Sequence, residues 1–197
     1  SILPEFTGRA IHDHLAAFYT FTQGKHGACN AHILRELRGL MEDGSTWADV
    51  MHAFLLELYR QAPPLQGEAA TRARQRYRQI LSQAELEEPP PEPRVGRGRP
   101  KSTPGRNLLR RLTQHEDAVL AFALVQGVPF TNTQAERDLR PAKVKQKVSG
   151  CFRTDHGARV YARLQAVIST CRKQERNVFV ALRNLFAHQP ASLLAGG

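Results

Sequence analysis

The chain has no apolar run of the ~18 residues that a membrane-crossing helix needs. Its first residues also lack the charged, apolar and cleavage-site succession of a secretory leader. Both absences point to a cytoplasmic protein. Cysteine is scarce: Cys29, Cys151 and Cys171 cannot all pair within the chain, and their spacing builds no disulfide framework, which fits a reducing compartment. There is no His-Glu-x-x-His, so the commonest signature of a zinc hydrolase is missing. Carboxylates are outnumbered, with 18 Asp and Glu against 28 Lys and Arg, leaving a formal charge of +10 and a pI near 10.2. Such an excess calls for a polyanionic partner, most commonly nucleic acid. The cations are spread over several segments and not gathered on one long amphipathic helix, which argues against a membrane surface as that partner. With 197 residues, 41% of them hydrophobic, the chain can bury a core of one or two domains and is not a disordered protein.

The first thirty residues read as strand, helix, strand. Gly8 to Asp13 is a short apolar run that ends in a carboxylate, a position suited to holding a cation outside a sheet. Asp13 also suits the cap of a helix through Leu15, Phe18, Tyr19 and Thr22, and on residues alone the cap outweighs the cation. Cys29 and His32 follow a small strand, Lys25 to Ala28, in Cys-x-x-His spacing. A structural zinc site needs four ligands, and Cys151, His156 and Cys171 form no second pair, so a buried structural role outweighs zinc.

From Asn30 the pattern becomes helical. Ile33, Leu34, Leu37, Leu40 and Met41 mark one helix. Trp47, Val50, Met51, Phe54, Leu55 and Leu58 mark a second, begun at Ser45 or Thr46 and stopped by Pro63-Pro64. A third runs from about Gly67 to Leu86, with Ala69, Ala73, Tyr77, Ile80 and Leu81 on one side. Arg72, Arg74, Arg76 and Arg78 lie on its other faces and read first as a solvated surface. Glu87 to Arg106 is rich in proline, has no apolar period and turns from acidic to basic, so it reads as an extended or mobile linker. Its Gly-Arg-Gly-Arg-Pro-Lys suits either a hook into a narrow DNA minor groove or a charged spacer. Asn107 to His115 and Glu116 to Leu124 are two further helical pieces. Near the end, Val160, Tyr161, Leu164, Val167, Ile168 and Cys171 keep helical spacing, as do Val178, Leu182, Leu185 and Phe186, and both sets read as core. The tail from Gln189 has no period and reads as frayed.

The densest chemistry lies between Val128 and Arg153, where Glu136 stands among Arg137, Arg140, Lys143, Lys145, Lys147 and Arg153. Thr-Asn-Thr reads as a helix start and Pro141 as its stop, with Asn132, Glu136 and Arg140 on one face. Thr133 and Glu136 also fit a capping box. After Pro141 the lysines alternate with Val144, Gln146 and Val148, so an extended segment would line them on one face as a bed for phosphates.

Three phrases, GRAIHDHLAAFYTF, HGACNAHILREL and PFTNTQAERDLRPAKVKQKVSGCFRTDHGA, resemble the IS66-type transposases, a branch of the DDE transposases with a ribonuclease-H-like catalytic core. The resemblance implies that Asp13 is the second and Glu136 the last carboxylate of a metal-binding Asp, Asp, Glu triad, with Mg²⁺ or Mn²⁺ as the metal. The first aspartate of the family has no counterpart before Gly8, so the chain resembles the C-terminal part of a transposase, and alone it is expected to cleave little or no DNA. Where the family usually shows Asp-Asn-Asn, this chain has Thr131, Asn132 and Thr133. The implied fold is mainly α with a small α/β part: a partial ribonuclease-H-like core in residues 1–29, a helical insertion in 30–127 with a linker at 87–106, and C-terminal core helices in 128–197 that carry Glu136. The implied partners are DNA, both transposon ends and target, and further copies of the chain assembled on it, which places the protein at the nucleoid. A non-catalytic DNA-binding or assembly remnant is the alternative.

Overall fold

Among the described residues, strand pairing is confined to the start of the chain. Arg9–His12 (β1) and Lys25–Ala28 (β2) form a two-stranded parallel sheet with Arg9 opposite Lys25 and His12 opposite Ala28. A parallel pair needs a crossover of about a dozen residues, and here residues 13–24 supply it with a single 3₁₀ turn, Ala16–Thr20. The crossover returns at Gly24, where any Cβ would lie 2.9 Å from the carbonyl oxygen of Phe6. The computed structural model describes residues 3–61, 64–91 and 101–187, which fall into two compact units, Ser1–Asn132 and Thr133–Gly197.

In the first unit the sheet leads directly into helices, in the mainly α arrangement with a small α/β part that the pattern predicts. Asn30–Glu42 (α1), Thr46–Arg60 (α2), Gly67–Glu87 (α3) and Pro104–Gln114 (α4) follow, then two single turns, Glu116–Val119 (α5) and Ala121–Leu124 (α6). The apolar stripes read from the sequence meet in one core. Ile33 and Leu37 of α1, Trp47, Met51 and Leu55 of α2, Tyr77 of α3, and Leu108, Leu109 and Leu112 of α4 are all buried in it. Tyr77 satisfies its hydroxyl by donating to the carbonyl of Leu112 at 2.9 Å. Asn30, fully buried at the start of α1, donates its Nδ2 to the carbonyls of Val119 at 3.2 Å and Ala28 at 3.5 Å, so it ties β2 to α5. The segment before the second unit docks here too: Asn30 N donates to the Phe130 carbonyl, and the Phe130 ring meets Phe122 edge-on at 4.7 Å.

Ser45 stands at the cap position of α2, but its own side chain does not cap the helix. Glu87, the last residue of α3, does so from 40 residues away: its carboxylate accepts from the amides of Thr46 at 3.0 Å and Trp47 at 3.1 Å and from the Thr46 hydroxyl. Burial pushes the Glu87 carboxyl up, but the bonds from Thr46, Trp47 and Ser45 together hold it below the usual carboxylate range. The helices also reach further into segment 87–106 than its composition predicts. Thr103 caps α4 by accepting from Arg106 N and donates its hydroxyl to Glu88 at 2.6 Å, while Arg106 binds the Glu88 carbonyl and the Glu85 carboxylate. The two feet of the segment are therefore fastened together. Arg97 and Arg99 of the candidate groove hook, Pro63, and the tail from Gln189 lie outside the described residues.

The second unit consists, among the described residues, of three helices: Thr133–Ser149 (α7), Asp155–Lys173 (α8) and Val178–Phe186 (α9). Two carry side-chain caps, α8 from Thr154 accepting from Gly157 N and α9 from Asn177 accepting from Val180 N. The expected core of α8 and α9 is formed only in part: Cys171 alone of the set is buried, whereas Val160, Leu185 and Phe186 are exposed and the others lie between. A unit this small cannot enclose both stripes.

Pro141 does not stop α7, and the lysines after it are not extended. An interior proline costs a helix about 3 kcal/mol, and Ala142, Lys143, Lys145, Gln146 and Lys147 are among the better helix formers that restore it. Val144 and Val148, which alternation assigned to one side of a strand, stand four apart on the helix.

Candidate functional site

In the first unit Asp13 sits immediately after β1, exposed, where the strand hands over to the crossover. It caps no helix of the kind foreseen: its Oδ1 accepts only the amide of Leu15, at 3.3 Å, ahead of the 3₁₀ turn. The next residue, His14, holds φ at +65°, a left-handed conformation that costs an L-residue about 1–2 kcal/mol. This bend carries the chain away from the strand and leaves the Asp13 carboxylate outside.

The residues on either side of Asp13 turn inward. His12 is 2% and His14 6% exposed. His12 Nε2 lies 3.1 Å from His26 Nδ1, and His14 Nδ1 lies 2.9 Å from the Tyr19 hydroxyl. Tyr19 in turn stacks on His115, ring centroids 3.6 Å apart and nearly coplanar in orientation. Burial, then the neighbouring His26, lowers His12 to about 4 despite the opposing pull of Asp13. Burial, then Arg111, lowers His14 to about 4 as well. His115 is lowered by burial and by the nearby His26 and Arg111. Around neutral pH His12 and His14 are therefore neutral, and they brace the backbone beneath Asp13 without adding charge. Sequence reasoning missed this cluster, although the triplet His12-Asp13-His14 carries its signal: alternation at a strand end puts both histidines on the side opposite the aspartate.

Cys29 and His32 occupy the turn from β2 into α1. Cys29 is 1% exposed and its Sγ accepts the amide of Asn132 at 3.4 Å, while His32 N donates to the Cys29 carbonyl. Cys29 thus helps hold the end of the first unit in place. A cleft of about 650 Å³ lies nearby, walled by Arg9, Lys25, Arg74, Arg78 and Glu116. Here the arginines of α3 are not simply a solvated face. Arg74 and Arg78 donate to Glu116 at 2.7 and 2.8 Å, and Arg74 also reaches Asp117 at 2.7 Å.

In the second unit Glu136 lies in the first turn of α7, exposed. Helical spacing puts Arg140, Lys143 and Lys147 on its face, four, seven and eleven residues on. The charged bed exists, but as a helical stripe headed by the glutamate. Lys145 leaves the row, its Nζ lying 3.5 Å from the Ser149 hydroxyl. Arg137 lies to one side of the stripe, and Arg153 lies beyond the helix, exposed. The other carboxylate of α7, Asp138, is held below its usual range by Lys173 at 2.5 Å and Ser169 at 2.6 Å.

Asp13 and Glu136 thus occupy comparable local settings, exposed carboxylates at the end of a strand and the start of a helix. Such hard oxygen donors suit Mg²⁺ or Mn²⁺ better than a thiolate-binding metal. The family model described as "Transposase IS66 family" matches residues 1–160, four-fifths of the chain, and that span contains both. The chain belongs to the IS66 transposase family. Comparison with curated proteins and with solved structures found no match. Membership ties this chain to transposition and to insertion sequences. No helix among the described residues is long and apolar enough to cross a membrane.

Proposed function

We propose that this member of the IS66 family is a catalytic-core part of a DNA transposase, in which Asp13 and Glu136 each give a carboxylate to Mg²⁺ or Mn²⁺. The observation that carries the reading is the family match over residues 1–160, joined by the setting of each carboxylate in its own unit. A ribonuclease-H-like ancestry for the short parallel sheet belongs to the same reading. When bound, the ion supplies a Lewis acid that activates an oxygen nucleophile and eases departure of the leaving oxygen in phosphoryl transfer on DNA. The protein's own contribution is positional. The neutral His12 and His14 hold Asp13 in place. Arg140, Lys143 and Lys147, with Arg137 and Arg153 beside them, bind the phosphate backbone, and Lys145 contributes from another face. Further copies of the chain assemble on the DNA.

The test is Mn²⁺ binding followed by water-proton relaxation, together with nicking of DNA in Mg²⁺. Asp13→Asn and Glu136→Gln should each weaken Mn²⁺ binding while leaving the salt-dependent DNA affinity in place. If both variants bind Mn²⁺ as the parent does, or if the protein nicks DNA and Glu136→Gln leaves the rate unchanged, the assignment fails. Thr131 and Thr133, standing where the family pattern has an aspartate and an asparagine, favour a second reading: a DNA-binding or assembly module without chemistry. That reading requires steep salt-dependent binding with neither Mn²⁺ affinity nor nicking.

A further inference from the structure

We propose that the second unit carries a phosphate pocket between α7 and α8 in which Arg137 and Arg172 grip the 5′-terminal phosphate of a DNA strand. The inference rests on the DNA reading above and adds a site to it. The pocket encloses about 330 Å³ and is built entirely from α7 and α8. Its walls hold three cations, Arg137, Arg172 and Lys173, against one carboxylate, Asp138. That carboxylate is already engaged: Lys173 Nζ and Ser169 Oγ both reach it, and Gln134 Nε2 donates to it at 3.3 Å. Lys173 is thereby spent on framing the wall. Arg137 and Arg172, both exposed, have no carboxylate partner among the described residues. Gln165 adds a neutral amide to the same hollow.

Two unmatched guanidinium groups beside a closed-off acid make a site for a doubly charged oxyanion. Arginine suits this because its planar fork offers paired N–H donors to phosphate oxygens. An internal phosphodiester carries one negative charge, whereas a terminal phosphomonoester carries about 1.5–2 at neutral pH. The charge therefore matches an end better than a passing backbone, and the stripe on α7 is left to serve the backbone. Hydrolysis that joins a water oxygen to phosphorus, breaks the P–O3′ bond and passes the proton to the departing 3′ oxygen yields an end of this kind on the downstream strand.

The experiment compares two single-stranded oligonucleotides of one sequence, one with a 5′-phosphate and one with a 5′-hydroxyl. Binding to the intact chain is read by fluorescence anisotropy in EDTA at fixed salt. The phosphorylated strand should bind about tenfold tighter, the gain of one charge-assisted grip. Arg172→Gln and Arg137→Gln should each bring the two strands close to equal affinity, and Arg172→Lys should keep part of the difference. Arg172 is exposed and unpaired, so its variants should keep the parent's thermal midpoint, and a variant that fails this control is replaced by Arg172→Lys in the comparison. Equal binding of both strands by the parent overturns the pocket, as does a preference that survives Arg172→Gln. So does inorganic phosphate competing as well as a short 5′-phosphorylated oligonucleotide, since the pocket would then serve free phosphate. Loss of salt-dependent binding to both strands would instead strike the DNA reading itself.

Discussion

Replacing Asn30 by aspartate tests the way the sheet is joined to the helices. The two side chains have the same shape, so no cavity opens, but Asn30 is fully buried and uses its Nδ2 to bind the carbonyls of Val119 and Ala28. An ionised aspartate there cannot donate and would face those carbonyls with a negative charge. Burial moves a carboxyl pKa up by several units, and a rise from about 3.9 to about 7 is a moderate case. A group whose ionised form is disfavoured in the fold destabilises increasingly as pH rises above its unfolded pKa. On these values Asn30→Asp loses about 1.5 kcal/mol at pH 5 and about 4 kcal/mol at pH 8 relative to the parent. The assay is urea unfolding of parent and variant followed by far-ultraviolet circular dichroism at both pH values, the difference at each pH being the quantity of interest. A loss that stays below about 1 kcal/mol and does not grow with pH would show that Asn30 is neither buried nor a necessary donor.

Two further outcomes follow from the same geometry. His12 and His14 are lowered to about 4 in the fold, below the ordinary 6.5, so their contribution is complete above pH 6.5 and is lost as pH falls towards 4. The groups facing them, His26, His115 and Arg111 against Asp13 alone, all but the last work in that direction. Full linkage gives about 2 kcal/mol per histidine at pH 5, which solvent screening trims to about 1, and His14→Gln should flatten the fall in the urea midpoint between pH 7 and pH 5. On α7, Lys143→Gln and Lys147→Gln should each reduce the salt slope of DNA binding by about one, whereas Lys145→Gln, off the stripe, should change it by less than half as much. Equal effects at all three positions would restore the extended reading of this segment.

The helical scaffold of the first unit was legible because its apolar residues repeat without interruption, from Ile33 to Leu40, Trp47 to Leu58 and Ala73 to Leu81. The strand just before Asp13 was legible as a short apolar run. Segment 143–148 was misread because a lysine at every second residue satisfies the period of a strand, while Val144 and Val148 satisfy that of a helix. Proline's local preference then tipped the choice, and it is worth less than a continuous run of helix formers on both sides. What periodicity does not carry is pairing at a distance. Glu87 on the start of α2, Glu116 on Arg74 and Arg78, and the four imidazoles around Tyr19 join residues far apart along the chain. At the candidate site the carboxylates could be named from phrases, whereas the neutral histidines that brace one of them, and the arginines left over beside Asp138, required coordinates.

The fastening of Thr103 to Glu88 bears on how this protein can change over generations. Because Glu88 and Thr103 are stapled side by side, any sequence closed between them has its ends fixed in advance, as a loop has on a finished scaffold. Lengthening such a loop twofold costs only about 0.6 kcal/mol in chain entropy. Residues can therefore be added, dropped or rearranged in the sequence between Glu88 and Thr103 without disturbing the helices on either side of it.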